Sequence, residues 1–110
     1  MVKKLQVYHF WTGPEKIPAN SFMRKFKERF PSIDVQAQAL EWGVYFPTIW
    51  AKLAEGDPPD ISNTEIGLRL AKLAEDGHLL DITDLWQEEG YSKVFPSEMK
   101  KGCRVGNKMY

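Results

Sequence analysis

Three short segments of this sequence, residues 11–15, 41–43 and 63–65, carry acidic, hydroxyl or amide side chains, and the first two also contain an indole ring. An indole face packs well on the C–H faces of a pyranose ring, while carboxylates and amides hydrogen-bond its hydroxyl groups. Residues of these types therefore predict a carbohydrate site. The candidate ligand-binding residues are Trp11, Thr12, Glu15, Glu41, Trp42, Asn63, Thr64 and Glu65.

Four of these residues also have an ordinary structural interpretation. Trp11 and Trp42 fit core or edge packing as well as stacking on a sugar. Asn63 or Thr64 suits the cap of a following helix, because their side chains accept hydrogen bonds from free helical N–H groups. Capping and ligand binding are compatible, so both interpretations stay open on the sequence alone.

The glutamates leave an enzymatic interpretation open. Glycoside hydrolysis needs two carboxylates at a defined separation, and a pair drawn from Glu15, Glu41 and Glu65 could meet in a cleft. Nothing in their spacing demands such a pair. Glu15 and Glu65 also suit the first turn of a helix, where the helix dipole favours an acid. We therefore predict no catalytic residue.

The composition excludes several classes of protein. The 110 residues suffice for one small globular domain, which buries roughly two thirds of the surface that the unfolded chain exposes. Fifteen Lys and Arg balance fifteen Asp and Glu, which argues against a nucleic-acid binder that must neutralise phosphates. His9, His78 and the single Cys103 do not form a metal-site pattern, and no glycine-rich phosphate loop occurs, so we predict neither metal nor cofactor. No apolar run approaches the ~20 residues of a membrane span, and the start, Met1-Val2-Lys3-Lys4-Leu5, is not a signal peptide.

The order of the predicted elements indicates an α/β fold. Strand-forming or alternating residues predict strands at 5–10, 33–39 and 61–62. Helical patterns precede residue 31, run from 44 to 55, and extend from a cap at 63 or 64 to Gly77, and a last helix is predicted over 92–101. This alternation gives a mainly parallel sheet flanked by helices. The three polar segments then follow the carboxyl ends of the strands, where ligands of open α/β sheets bind.

Prolines and glycines set the predicted helix ends. Pro18 and Pro47 suit first turns, Pro31 ends the first helix, and Gly56 suits a left-handed helix end. A turn at 106–107 and short strands around it are predicted at the end of the chain. The apolar stripes of the helices predict buried side chains, among them Phe22, Phe46, Ile49, Trp50, Leu68, Leu70, Leu73 and Trp86.

Four segments carry a family resemblance. Phe10-Trp11-Thr12-Gly13 follows the first strand as an aromatic pair, a small residue and a glycine. Residues 54–61 (AEGDPPDI) resemble the pattern AxGxPPDV, residues 74–82 (AEDGHLLDI) the pattern AxxGxLxPL, and residues 106–110 (GNKMY) the start of NGKxYGVP. In this order they resemble the N-terminal part of extracytoplasmic solute-binding proteins of carbohydrate ABC transporters, family 1 type.

The resemblance covers almost the whole chain, including residues 22–33 and 85–96. It implies a periplasmic-binding-protein-like (type II) α/β fold, in which residues 1–110 form part of the first lobe and the second lobe is absent. It also implies a non-catalytic receptor for a mono- or oligosaccharide that serves an ABC importer. The implied location is periplasmic or extracellular and membrane-associated, and the implied protein partners are the permease subunits.

Residue by residue, the resemblance assigns a stacking role to Trp11. It implies that Glu15 and Glu65 accept hydrogen bonds from sugar hydroxyls, and that Asn63 both donates and accepts them. Trp42 lies in a loop that varies in the family.

Two other classes of function remain open. One is a small self-contained α/β enzyme that acts on glycosides, and the other is a binding protein for an amino acid or a polyamine. The sequence offers no dedicated carboxylate-binding arginine, since Arg69 is predicted to face solvent on the third helix, and this favours a sugar. The chain stops just after a strand begins, at Met109-Tyr110, which predicts a truncated lobe. Its unpaired sheet edges predict self-association, and we expect weak or no sugar binding by the chain alone.

Overall fold

A computed structural model describes residues 3–110. Met1 and Val2, the first two residues of the segment that is predicted not to be a signal peptide, lie outside these residues. The chain divides into two compact units, Met1–Asn63 and Thr64–Tyr110. Each unit is described by itself.

A three-stranded parallel sheet is the centre of the first unit. Its strands are β1 (Lys3–His9), β2 (Ile33–Ala39) and β3 (Ile61–Ser62). They lie in the order β2-β1-β3, and both outer strands run parallel to β1. Lys3 of β1 pairs with Ile33 and His9 with Ala39, so β1 and β2 end level with each other. The predicted α/β fold with a parallel sheet flanked by helices is confirmed.

Helices α1 (Lys16–Arg29) and α2 (Trp42–Glu55) connect the strands, and α2 supplies the core. Its Tyr45, Phe46 and Ile49 are buried. The half-buried apolar side chains that pack against them are Tyr8, Phe10, Leu40 and Leu53. The core of this unit therefore lies between α2 and the ends of the first two strands.

Helix α2 begins two residues earlier than the sequence pattern predicts. Pro47 is consequently its sixth residue, not a first-turn residue. A proline there cannot donate a backbone hydrogen bond. The next residue, Thr48, donates its hydroxyl to the carbonyl oxygen of Val44 over 2.7 Å. Gly56 ends the helix in the left-handed conformation (φ 75°), as predicted.

Several predicted core residues are exposed. Phe22 is 71% exposed, Leu68 91% and Trp50 37%, so the prediction of burial is wrong for these three side chains. The predicted apolar stripes are wider than the surface that each helix buries. Trp86 is buried as predicted, with 6% of its surface exposed.

The second unit consists of four short helices and a hairpin. Its elements are α3 (Leu68–Glu75), α4 (Thr83–Glu88), α5 (Tyr91–Val94), α6 (Ser97–Gly102), β4 (Arg104–Val105) and β5 (Lys108–Met109). Strands β4 and β5 are antiparallel, and Gly106 turns between them at φ 63°, which confirms the predicted turn and short strands. The buried apolar residues of this unit are Leu70, Leu73, Trp86 and Met109.

Two helix predictions in the second unit are corrected. The single helix predicted over 92–101 is two helices, because Pro96 forces Phe95 into an extended conformation (ψ 140°) between them. Helix α3 begins at Leu68, and its N-cap is Gly67, with φ 92° and ψ −133°. The Gly67 N–H donates to the carbonyl oxygen of Gly102 over 3.0 Å, which holds the chain in a turn before the helix starts.

Within residues 3–110, no helix has both the length and the apolar character that crossing a membrane requires.

Candidate functional site

Backbone hydrogen bonds hold together the carboxyl ends of the three strands of the first unit, where the predicted loops begin. The Leu40 N–H, just after β2, donates to the carbonyl oxygen of His9 over 2.9 Å, and the Asn63 N–H, just after β3, donates to that of Tyr8 over 3.2 Å. The Tyr45 hydroxyl lies 2.9 Å from the carbonyl oxygens of both Tyr8 and Asn63. The central strand thus fixes where each neighbouring loop begins.

Side chains join the first loop to the second. The Thr12 hydroxyl donates to Oε2 of Glu41 over 3.2 Å. Trp42 packs edge-on against Phe10, with ring centroids 4.9 Å apart and planes at 84°, and against Phe46 at 5.3 Å. Trp42 nevertheless keeps 51% of its surface exposed. One indole therefore serves packing and remains accessible to a ligand.

Trp11 is half-buried and lies on a buried histidine. Its backbone N–H donates to Nδ1 of His9 over 3.3 Å, and the two ring centroids are 5.1 Å apart with planes tilted by 33°. His9 is only 4% exposed. Burial lowers the pKa of its imidazole, which favours the neutral form that the Trp11 contact requires.

Glu15 lies at the edge of the first loop. It is the exposed N-cap residue of α1, and its side chain makes no capping hydrogen bond. A Cβ atom placed on Gly13 would lie 3.0 Å from Oε2 of Glu15, so the missing side chain of the glycine leaves room for this carboxylate beside the loop.

Asn63 has a buried side-chain oxygen without a partner. Its Oδ1 has no hydrogen bond to any residue among 3–110, although both backbone groups of the residue are bonded. An unpaired buried acceptor costs about 1–3 kcal/mol. The predicted capping role of Asn63 or Thr64 is wrong, because α3 begins at Leu68 after a turn that neither residue caps. Within residues 3–110, the Oδ1 atom of Asn63 therefore contributes no hydrogen bond to the fold.

Two of the predicted residues belong to the second unit. The Thr64 hydroxyl oxygen is buried and also lacks a partner in the described part of the chain. Glu65 accepts a hydrogen bond from Nε of Arg69 over 3.1 Å. Both side chains of this pair are partly exposed, so the ion pair contributes little to stability. The first unit, by contrast, groups Trp11, Thr12, Glu15, Glu41, Trp42 and Asn63 on the loops at one end of its sheet.

The second unit also contains a cavity of about 390 Å³. Lys100, Arg104 and Asn107 are among its lining residues. The Lys100 ammonium donates to the carbonyl oxygen of Ser92 over 3.0 Å, and the indole of Trp86 beneath is buried. This cavity therefore offers no open aromatic face for a sugar.

Within the described residues, no group of three or more His, Cys, Asp and Glu side chains is arranged to hold a metal ion. Burial raises the pKa of the Cys103 thiol, which keeps this cysteine in its less reactive protonated form.

Two residues of the site were missed as site residues in the sequence. His9 lies in the strand predicted over 5–10 and has no predicted site role, although the structure places its ring against that of Trp11. Tyr45 lies inside the helix predicted over 44–55, but the predicted core names Phe46 and Ile49 and not Tyr45. The spacing of four residues between Tyr45 and Ile49 indicates one shared face and could have identified it.

Acid is expected to destabilise the protein through His9. The pKa of His9 is lower in the folded state than in the unfolded chain, where a histidine has a pKa of about 6.5. The unfolded state therefore gains protons first, and this part of the free energy of unfolding is lost as the pH falls below about 6.5. Urea unfolding at about pH 7.5 and about pH 5.5 should show a larger loss for the wild type than for His9→Asn. Equal losses in the two proteins would mean that His9 does not contribute to the pH dependence.

An open parallel sheet with polar and aromatic loops at its strand ends defines an α/β ligand-binding architecture. The chain matches the bacterial extracellular solute-binding protein family over residues 13–101, and it belongs to that family. The resemblance found in the sequence is thereby confirmed.

The relatives of the chain are much longer than the chain itself. It is 28% identical over 113 aligned positions to an uncharacterized ABC transporter extracellular-binding protein of Pyrococcus horikoshii, covering 99% of this chain and 25% of the relative. Among solved structures, it is similar to a chitin oligosaccharide binding protein (24% identity, TM-score 0.85, covering 99% of this chain and 28% of the other). It is also similar to an ABC substrate-binding protein of Listeria monocytogenes in complex with cycloalternan (20% identity, TM-score 0.83, covering 100% and 28%). The chain thus spans about a quarter of these proteins.

Proposed function

We propose that the chain is the opening part of the first lobe of a carbohydrate receptor that serves an ABC importer. The loops after β1, β2 and β3 form its share of the sugar site. The observation that carries the proposal is the buried, unpartnered Oδ1 of Asn63 beside these loops. A sugar hydroxyl is a donor of the right kind for this acceptor.

Each loop has a role in this proposal. The half-buried Trp11 stacks on the C–H face of the sugar, and the exposed Trp42 supplies a second aromatic edge. The carboxylates of Glu15 and Glu41 accept hydroxyl hydrogen bonds, and Thr12 holds Glu41 in place over 3.2 Å. Thr64 and Glu65 stay predictions from the sequence, because they belong to the second unit, where Glu65 shares its carboxylate with Arg69.

The names of the relatives support a sugar as the solute. The two solved proteins are named for chitin oligosaccharide and cycloalternan, and both names are those of binding proteins. This supports the receptor over a glycoside-acting enzyme, and a sugar over an amino acid or a polyamine. The proposal includes a second lobe outside this chain and ABC permease subunits as partners of the full receptor. It places the receptor in the periplasm or outside the cell, attached to a membrane.

Self-association of the chain is part of the proposal. Within residues 3–110, the outer edge of β2 pairs with no strand, and an unpaired strand edge is a template for another chain. The exposed Ile17 and Phe22 on α1 add apolar surface.

Sugars are expected to bind this chain weakly and at the loops of the first unit. Half of a cleft makes only part of the contacts with a sugar. We therefore expect millimolar dissociation constants, which correspond to a binding free energy of about −4 kcal/mol. The ¹⁵N-labelled chain would be titrated with mannotriose, a chitin trisaccharide and β-1,6-galactobiose, with glutamate and spermidine as controls. At least one sugar should shift the amide resonances of residues 10–12, 41–42 and 63, together with the side-chain amide of Asn63.

Two outcomes would contradict the proposal. One is a response of these resonances to glutamate or spermidine instead of the sugars. The other is a sugar response confined to residues outside the three loops.

A further inference from the structure

We propose that His9 is a positioning residue that sets the orientation of the Trp11 indole. The part of this inference that concerns sugar affinity rests on the proposed function. The part that concerns Trp11 itself does not.

The first observation is the fixed position of the imidazole. His9 is the last residue of β1, and its carbonyl oxygen accepts the Leu40 N–H over 2.9 Å. Its backbone is therefore held by the sheet on the side of β2. With 4% of the residue exposed, the ring has little freedom to change its rotamer.

The second observation is the double contact with Trp11. Nδ1 of His9 accepts the Trp11 backbone N–H over 3.3 Å, and the two rings lie 5.1 Å apart at 33°. Acceptance at Nδ1 places the proton of the neutral imidazole on Nε2. One side chain thus holds both the main chain and the indole of the same residue.

The third observation is that, among residues 3–110, no second aromatic ring lies against Trp11. Among the described residues, His9 is the only ring in contact with Trp11. The neighbouring Phe10 packs instead on Trp42, Tyr45 and Phe46. The next residue, Thr12, closes a tight turn through its N–H to the carbonyl oxygen of Phe10 over 3.0 Å. The loop is therefore fixed on both sides of Trp11, whereas the indole itself rests on the imidazole.

Two variants separate the two contacts. His9→Phe keeps a flat ring beneath the indole and removes the acceptor. His9→Asn keeps an acceptor near the position of Nδ1 and removes the ring. His9→Ala removes both contacts and is a third variant, used only if it folds.

The first measurement needs no ligand. The indole N–H resonance of Trp11 should shift in both variants, since the imidazole beneath it has been replaced, while that of Trp50 on α2 should stay in place. An unchanged Trp11 resonance in both variants would overturn the inference, whether or not the chain binds a sugar.

The second measurement is a double-mutant cycle on sugar affinity. Titration with mannotriose, the chitin trisaccharide and β-1,6-galactobiose should show a loss of roughly three- to tenfold for His9→Phe and for His9→Asn. In the Trp11→Phe background, in which the indole is gone but a smaller ring keeps the affinity measurable, the same replacements should change affinity no further. Unchanged affinity with lowered thermal stability would mean that His9 is merely structural and would overturn the inference, as would losses that add to that of Trp11→Phe.

The proposed function fails separately from this inference. If the loops respond to glutamate or spermidine instead of the sugars, or if the sugars act only outside the loops, the proposed function fails, and the ligand-free indole resonances alone decide whether His9 positions Trp11.

Discussion

Replacing Trp11 with alanine is expected to weaken sugar binding by about 2–3 kcal/mol, which is roughly 30- to 150-fold. The half-buried indole is held on His9 and presents a pre-oriented aromatic face, so its loss removes the stacking surface of the site. For ligands in the millimolar range, this predicts the disappearance of saturable shifts in the NMR titration.

The matched control for Trp11 is Trp50→Ala. Trp50 is partly exposed on α2 and belongs to none of the three loops. It should leave the sugar affinity unchanged. An affinity that survives Trp11→Ala would mean that the indole only packs the loop, and the site would have to be sought around Trp42.

Replacing Tyr45 is expected to have the largest effect on stability. The residue is fully buried, and its hydroxyl lies 2.9 Å from the carbonyl oxygens of Tyr8 and Asn63. Burial raises the pKa of Tyr45 to about 12, despite opposing hydrogen bonds. Tyr45→Phe should cost about 1–3 kcal/mol, because a buried carbonyl loses its donor. Tyr45→Ala should cost about 3–5 kcal/mol, because a cavity is added.

The control for Tyr45→Phe is Tyr91→Phe in the second unit. The Tyr91 hydroxyl makes no hydrogen bond within the described residues, so the same chemical change should be nearly neutral there. Urea unfolding measures both variants. A Tyr45→Phe protein as stable as the wild type would mean that the hydroxyl contributes nothing to the joining of β1 and the third loop.

Much of the first unit could be predicted from sequence because its signals are local. The alternation of residues 33–39 and the turn before β3 depend on a few neighbouring residues. The first residue of α2 could not be predicted as well, because Pro47 is typical of a first turn and therefore indicates a helix start at Val44 instead of Trp42. The role of Tyr45 could not be predicted either, because it depends on Tyr8 and Asn63, far away in the chain.

The candidate site likewise combines residues that local sequence signals indicate with contacts that such signals do not predict. Residue types at strand ends pointed to Trp11, Glu41 and Asn63, since an open sheet places ligands there. The contact between His9 and Trp11 could not be predicted, because a histidine in a strand fits many environments. The capping role given to Asn63 failed for another reason. Gly67 adopts a non-helical conformation, so the helix begins only at Leu68. The hydrogen bond between Gly67 and Gly102, which accompanies this conformation, joins residues far apart in the sequence and could not be predicted.

The way Asn63 is held separates its contribution to the fold from that of its side chain. Its N–H and its carbonyl oxygen, both part of the main chain, join the third loop to β1 and α2, and neither bond depends on which amino acid occupies the position. Exchanging Asn63 for serine, which is smaller and uncharged, would therefore alter the donors and acceptors offered to a ligand while the strand end stays in place. At a position whose main chain alone joins the loop to the sheet, selection can change the preference for a ligand without altering the sheet.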